Sequence, residues 1–285
     1  MPSSFVEVDI TADAELVDQL IGVLTQMGFE GFWEDDALLK CYMKSTRWTP
    51  AMLDEVRTIV KRMTRPSISA LPHVSVHTIE DVDWNQEWEK TVKPIQATGR
   101  IVIKPTWHDY TAAPEQILVT IDPKMSFGTG YHETTRLVLR LMEKYLTPGC
   151  SMLDIGTGTG ILAIAGIKLG AGSAVAVDID EWSFNNAVEN CRLNHVEQKV
   201  RILHGEISSV SGQSFDLIVA NIQLNVIEPM LQGIEELLNP GGSVILSGLL
   251  QSDRGQILRA LIGGTLAVRE ESDENEWLAI VAGIA

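Results

Sequence analysis

A glycine-rich segment, residues 153–160, carries the clearest chemical pattern of the chain and reads Leu-Asp-Ile-Gly-Thr-Gly-Thr-Gly. Gly156, Gly158 and Gly160 allow the backbone to turn tightly from a strand into a helix and to approach a ligand closely. Asp154 lies just before them, where its carboxylate would repel a pyrophosphate and attract a cationic amino group. S-adenosylmethionine has an ammonium and a sulfonium and lacks phosphate. The segment therefore favours this cofactor over NAD or FAD.

Polar residues follow three further predicted strands. Asp178 ends the second strand, where a carboxylate can accept hydrogen bonds from both ribose hydroxyls of a nucleoside. Asp180 is instead placed to cap the next helix. Glu206 follows the third strand and can accept from an adenine amino group, although an exposed loop acid is an equal interpretation. Asn221 ends the fourth strand, and its carbonyl can accept from an attacking amine; alone, it is equally well interpreted as a turn residue.

A second loop, residues 122–135, precedes a predicted helix. Gly128 and Gly130 around Thr129 predict a flexible turn, and hydroxyls and amides at the helix start can face the cofactor. The pair His132-Glu133 would suggest zinc, but the HExxH pattern requires a second histidine where Arg136 stands. We therefore interpret His132 as structural and predict no metal site.

The order of apolar segments predicts an α/β fold in which a larger domain, Rossmann-like with a mostly parallel sheet, follows a smaller N-terminal unit. Residues 1–80 show a β-α-β-β-α-β order, which predicts an α+β ferredoxin-like sandwich. Residues 81–112 are interpreted as a connector. From residue 113 to 285, strands alternate with helices, which indicates helices on both faces of the sheet. The strands are expected at Ile117–Ile121, Ser151–Asp154, Ala174–Asp178, Val200–Leu203, Phe215–Ala220, Ser243–Ser247 and Trp277–Val281, with Pro240-Gly241-Gly242 as a turn.

Composition narrows the class of partner. The net charge is −16, which disfavours direct binding of nucleic acid and suits a basic protein partner. Ordinary solubility charge is the alternative interpretation. The three cysteines form no disulfide framework, and neither a secretory signal nor an apolar run long enough for a bilayer is visible. We expect a cytoplasmic protein without membrane contact.

Taken together, these motifs resemble those of the bacterial methyltransferases of large-subunit ribosomal protein L-eleven (L11). The resemblance covers essentially the whole chain, and its most specific part is the phenylalanine–glycine–threonine–glycine–x–histidine loop. The matching segments are Asp83-Trp84, Glu87-Trp88, Asp122-Pro123, Phe127-Gly128-Thr129-Gly130-Tyr131-His132-Glu133-Thr134-Thr135, residues 154–165, Asp178-Ile179-Asp180 and Ala220-Asn221-Ile222.

The resemblance implies that residues 1–80 hold the ribosomal protein and that residues 113–285 form a class I methyltransferase domain that binds S-adenosylmethionine. It implies cofactor contacts at Thr135, Gly156, Asp178 and Asn221. Asn221 and the loop with Phe127 and Thr129 would lie nearest the transferred methyl. The implied activity is methylation of amino groups of L11, on lysine side chains, the N-terminal amine or both.

Three alternatives stay open at this point. The same catalytic domain could act on another protein or on a small metabolite. A nicotinamide-dependent oxidoreductase would use the glycines and Asp178, but Asp154 speaks against it. A catalytically silent binding module is permitted by residues 223–226, which depart from the leucine–alanine–glycine–proline that often follows Asn-Ile in the family.

Overall fold

The computed structural model describes residues 5–11, 14–35, 38–63, 73–79, 92–124 and 126–284. The chain divides into two compact units, Met1–Glu87 and Trp88–Ala285. The connector segments Asp83-Trp84 and Glu87-Trp88 lie outside the described residues.

The first unit is a four-stranded antiparallel sheet packed on two helices. Alternating residues of its first strand, Val6, Val8 and Ile10, are buried against apolar helix side chains such as Leu20 and Val56. Its elements are β1 (Phe5–Thr11), α1 (Ala14–Gln26), β2 (Gly31–Asp35), β3 (Leu38–Lys44), α2 (Pro50–Met63) and β4 (Val74–Ile79). The strand order is β2-β3-β1-β4. This confirms the predicted ferredoxin-like order of elements.

The second unit is built on a seven-stranded sheet of order β10-β9-β8-β11-β12-β14-β13. The first five strands in that order are parallel, and β14 and β13 extend them as an antiparallel hairpin. The strands are β8 (Ser151–Ile155), β9 (Ser173–Asp178), β10 (Val200–His204), β11 (Phe215–Asn221), β12 (Leu238–Leu250), β13 (Leu266–Glu274) and β14 (Trp277–Ile284). The helices are α3 (Glu133–Tyr145), α4 (Ile161–Leu169), α5 (Glu181–Leu193), α6 (Leu224–Leu237) and α7 (Arg254–Ile262).

Helices cover both faces of this sheet, as predicted. Met152 of β8 packs in an apolar cluster with α3 and α4, whereas its neighbour Leu153 packs with α6 and α7 in a second cluster. The alternation of side chains along each strand thus divides the core into two layers.

The prediction differs from the structure at three places. The strand placed at Ile117–Ile121 is β7 (Ile117–Thr120), which pairs with β6 (Ile101–Lys104) in a separate sheet with β5 (Ile95–Gln96) rather than in the large sheet. Strand β13 was not predicted, because its charged run of residues 270–274 lacks a continuous apolar pattern. Residues 240–242, expected as a turn, are part of an irregularity within β12, between Leu238 and Ser243.

Within the described residues, no helix has both the length and the apolar character that crossing a membrane requires. The same part of the chain has no cluster of three or more His, Cys, Asp or Glu side chains suited to a metal ion.

Candidate active site

A cavity of about 840 Å³ lies at the carboxyl ends of the parallel strands. Strand β8 lies between β9 and β11, so the chain winds in opposite directions on its two sides. Ligands of open α/β sheets bind at such a switch point. Gly156, Asp178 and Asn221, which follow or end β8, β9 and β11, all line the cavity. The structure thus brings together residues that are up to 65 positions apart in the sequence.

The glycine turn has the backbone geometry that its sequence requires. Gly156, Gly158 and Gly160 have φ values of 71°, 55° and 82°, in the left-handed region that glycine adopts without strain. A Cβ at position 156 would lie 2.5 Å from Ile222 Cγ2, and one at 158 would overlap the carbonyl oxygen of Phe127. Gly156 and Gly158 line the cavity, whereas Gly160 packs against Ala187 of α5.

Asp154 is placed differently from our prediction. Its side chain is fully buried beneath the turn and is not among the described residues that line the cavity. Its Oδ2 accepts hydrogen bonds from Thr157 Oγ1 at 2.6 Å and from the backbone N–H of Ala163 at 3.2 Å. Burial raises the pKa of Asp154 to about 7, and these two hydrogen bonds act against that rise. Through Oδ2 the carboxyl therefore organises the turn from below the cavity instead of lining the cavity as we had expected, and its Oδ1 is buried without a hydrogen-bond partner among the described residues.

Asp178 lies where the sequence predicts, at the end of β9 beside the turn. Its Oδ2 accepts from the N–H of Gly158 at 2.8 Å, and its Oδ1 accepts from the N–H of Asp180 at 3.0 Å. Each carboxylate oxygen retains a lone pair for a ligand hydroxyl. Asp180 caps α5 through Ser183, as predicted. Glu206 lines the same cavity and is exposed.

Asn221 is buried at the end of β11. Its Nδ2 donates to Thr135 Oγ1 at 3.5 Å. Its Oδ1 is buried and has no hydrogen-bond partner among the described residues. Thr135 is fully buried and lies behind Asn221; its neighbour Thr134, not Thr135, lines the cavity. An unsatisfied buried acceptor is costly, so this oxygen indicates a missing donor.

The loop before α3 contributes Phe127, whose side chain is 54% exposed and lines the cavity. Thr129 does not line it; its Oγ1 accepts from the N–H of Tyr131 at 3.2 Å, which shapes the loop. Of the two loop residues that we predicted at the site, Phe127 therefore lines the cavity, whereas Thr129 supports the loop.

Two aromatic residues of the cavity wall were missed or interpreted only as structural. His132 caps α3, since its Nδ1 accepts from Thr134 N, and its ring also lines the cavity. That ring packs edge-on against Phe127 and Trp277, with centroid distances of 5.4 Å and 4.7 Å. Trp277 begins β14, and only the pairing of β14 with β12 brings it to the site.

These residues fit S-adenosylmethionine. Asp178 offers acceptors for a ribose, and Ile179 and Ile207 give the cavity apolar wall for a base. The glycine turn allows close approach of the ligand, and the unpaired Oδ1 of Asn221 can accept a hydrogen bond from a donor in the cavity. The acidic character of the edge disfavours a phosphate-bearing cofactor.

The sheet, the switch-point cavity and the glycine turn define a class I, S-adenosylmethionine-dependent methyltransferase. More specifically, the chain belongs to the ribosomal protein L11 methyltransferase (PrmA) family, whose model matches residues 4–284.

Individual relatives agree with this family assignment. A ribosomal protein L11 methyltransferase of Pelotomaculum thermopropionicum is 39% identical over 86% of this chain and 78% of its own length. One of Chlorobaculum parvum is 36% identical over 96% of this chain and 94% of its own. The crystal structure of a ribosomal protein L11 methylase of Lactobacillus delbrueckii subsp. bulgaricus superposes with a TM-score of 0.64, at 30% identity, covering 67% of this chain and 98% of that one.

Proposed function

We propose that this enzyme transfers methyl groups from S-adenosylmethionine to amino groups of ribosomal protein L11, with Asn221 orienting the attacking amine. The single observation that carries the mechanism is the buried, unpartnered Oδ1 of Asn221 in the cavity wall. The match of the L11 methyltransferase family model to residues 4–284 supports the choice of substrate.

For the cofactor, we assign Asp178 to the ribose hydroxyls and Gly156 and Gly158 to close backbone contact. Glu206 is assigned to the base. Asp154 and Gly160 hold the turn in shape from below, and Thr135 sets the orientation of the Asn221 amide. When bound, S-adenosylmethionine supplies an electrophilic methyl group, so the protein mainly has to position the nucleophile.

For the acceptor, Asn221 Oδ1 accepts a hydrogen bond from a neutral amine and directs the nitrogen lone pair towards the methyl group. Phe127 forms the wall beside it, and Thr129 supports the loop that carries Phe127. A lysine ammonium has a pKa of about 10.4 and must lose its proton before it can attack. Removal of the amine from water beside Phe127, His132 and Trp277 favours the neutral form.

We assign recognition of L11 to the first unit, with residues 81–112 as connector and residues 113–285 as the catalytic domain. Trp33 on the edge strand β2 is 64% exposed, and large exposed aromatic side chains are frequent anchors of protein interfaces. The net charge of −16 complements a basic protein and disfavours direct binding of nucleic acid. The enzyme would act in the cytoplasm, where ribosomal proteins are made.

The test is incubation of the purified enzyme with methyl-labelled S-adenosylmethionine and ribosomal proteins from unmethylated cells, followed by mass spectrometry. Label on L11 amines, strongly reduced with Asp178→Ala at a cofactor concentration near the wild-type Kd, is the expected result. Label on another protein or on a free metabolite would refute the proposed substrate. Cofactor binding without label on any candidate would favour a binding module.

A second experiment tests the role of the first unit. Trp33→Ala is expected to raise the KM for L11 and to leave cofactor affinity unchanged. Trp107→Ala, in the second unit and 39% exposed, is the matched control. Equal KM values for wild type and Trp33→Ala would show that Trp33 is not part of the surface that recognises L11.

A further inference from the structure

One threonine joins the two loops that line the cavity. Thr159 belongs to the glycine turn and is fully buried. Its backbone N–H donates to the carbonyl of Phe127 at 2.9 Å, and its Oγ1 donates to the carbonyl of Gly128 at 2.7 Å. Two consecutive carbonyls of the Phe127 loop are thus held by a single residue of the cofactor turn.

This contact allows no space for side chains between the loops. A Cβ at Gly128 would lie 2.6 Å from Thr159 Oγ1, and a Cβ at Gly158 would overlap the carbonyl oxygen of Phe127. Both glycines have positive φ values, 107° and 55°. The two backbones therefore approach each other to a distance that only glycine permits on each side.

Thr159 is also held from behind by Asn190 of α5, which is fully buried. Asn190 Nδ2 donates to the carbonyl of Thr159 at 2.9 Å, and Asn190 Oδ1 accepts from the N–H of Asp122 at 3.0 Å. Asp122 is the first residue of the loop that carries Phe127. The same helix thus fixes the position of Thr159 and the start of the loop to which Thr159 is bonded.

We infer that Thr159 is a positioning residue. When cofactor binds at the glycine turn and orders it, the hydrogen bonds of Thr159 also order the Phe127 loop beside the acceptor amine. The inference rests on the proposed function, in which Phe127 forms the wall beside the amine. The turn and the loop move as one unit while the hydroxyl bond is intact. Without it, the carbonyl of Gly128 loses its partner and the loop keeps only the backbone bond at Phe127.

The test compares Thr159→Val, which removes the hydroxyl at nearly constant volume, with Thr159→Ser, which keeps it. Thr159→Ala replaces the valine variant if that variant does not fold. Thr98→Val is the matched control. Thr98 is also buried, and its hydroxyl donates to Glu143 Oε1 at 2.8 Å, but it does not line the cavity. Circular dichroism establishes that each variant is folded.

The first readout does not depend on activity. Hydrogen–deuterium exchange of a peptide covering residues 126–132 is measured with and without S-adenosylhomocysteine. In wild type, Thr159→Ser and Thr98→Val, the product is expected to slow this exchange. In Thr159→Val, exchange is faster and responds weakly to the product. Equal responses in wild type and Thr159→Val would overturn the inference, whether or not L11 proves to be the substrate.

The second readout is methylation of L11. At saturating cofactor, Thr159→Val is expected to lower kcat about tenfold, as misplacement of a wall beside reacting atoms does, with a smaller change in cofactor Kd. A fall confined to cofactor affinity, with kcat unchanged, would overturn the inference. An inactive wild type would instead contradict the proposed substrate, and the exchange measurement would still decide the role of Thr159.

Discussion

Asn221 donates through Nδ2 to the hydroxyl of Thr135, 86 residues away in the sequence, at 3.5 Å. This hydrogen bond directs the NH2 group of the Asn221 amide towards the protein interior. The acceptor side, Oδ1, has no partner among the described residues. A threonine at the helix N-terminus therefore holds the Nδ2 side of the amide, and the Oδ1 side is left without a protein partner among the described residues.

Asn221→Ala is expected to lower kcat for methyl transfer by about 10²-fold, since it removes the acceptor that orients the amine. Thr135→Val should give a smaller loss, because the amide remains but loses its fixed orientation. Steady-state kinetics at saturating cofactor measure both effects. Asn239→Ala, which breaks a side-chain bond to Asp216 away from the cavity, is the control. An unchanged kcat in Asn221→Ala would exclude the proposed role.

Asp178→Ala is expected to weaken S-adenosylmethionine binding by about 10- to 100-fold, the range for a charge-assisted hydrogen bond lost together with support of the Gly158 amide. Isothermal titration calorimetry measures the Kd directly. Asp180→Ala serves as the control because that carboxylate caps α5 in the same connection. It should lower stability through loss of the helix cap and leave the Kd unchanged. Equal Kd values for wild type and Asp178→Ala would contradict the ribose assignment.

The buried Asp154 predicts a pH-dependent difference in stability. Its pKa rises from 3.8 to about 7 on folding, chiefly through burial, so between these values the unfolded chain releases a proton that the folded chain keeps. The contribution of Asp154 to the free energy of unfolding is fully present below pH 4 and is lost as pH rises towards 7. Asp154→Asn should therefore gain stability relative to wild type across that range, by up to about 1.4 kcal/mol per pH unit.

Urea unfolding from about pH 2 to pH 8 measures this difference. Asp216→Asn provides the opposite case, because hydrogen bonds from Ser151 and Asn239 lower the pKa of Asp216. Its stabilising contribution is present above pH 3.8 and is lost as pH falls further. Parallel profiles for wild type and Asp154→Asn would show that the carboxyl ionises alike in both states.

An ion-pair cluster fixes the β13–β14 hairpin, which carries Trp277, to helix α3. Arg136 donates to Glu274 and to the carbonyl of Tyr131, and Arg140 donates to Glu274 at 2.6 Å. Arg136 and Glu274 side chains are only 21% and 22% exposed. Glu274→Gln is therefore expected to cost about 1–3 kcal/mol of stability, more than an exposed pair would.

Thermal unfolding in low and high salt measures the cost of Glu274→Gln. Glu271→Gln is the matched control on the same strand, because its partner Arg254 is 56% exposed. It should cost less than about 1 kcal/mol and lose most of that effect in salt. A larger loss for Glu271→Gln than for Glu274→Gln would contradict the ranking by burial.

Much of the site could be predicted because its signals are local. The glycine turn needs particular φ values, and acids at the ends of strands meet at one sheet edge whatever the rest of the chain does. For this reason Gly156, Asp178 and Asn221 lie at the cavity as expected. Contacts between distant segments have no such local signal. The wall formed by Trp277 and the support of Thr129 for the Phe127 loop were accordingly not predicted.

The sequence by itself determined the alternation of strands and helices, the ferredoxin-like order of the first unit and the chemistry of the cofactor edge. These follow from the periodicity of apolar residues and from residue types. Only the tertiary structure decided which side chains line the cavity. Asp154 lies on β8 next to the turn, yet burial directs its carboxyl to Thr157 and Ala163. Thr159 joins two loops because folding brings glycines from separate segments into backbone contact. The direction of a side chain and the distance between two segments depend on tertiary packing, and they cannot be inferred from residue types and their spacing alone.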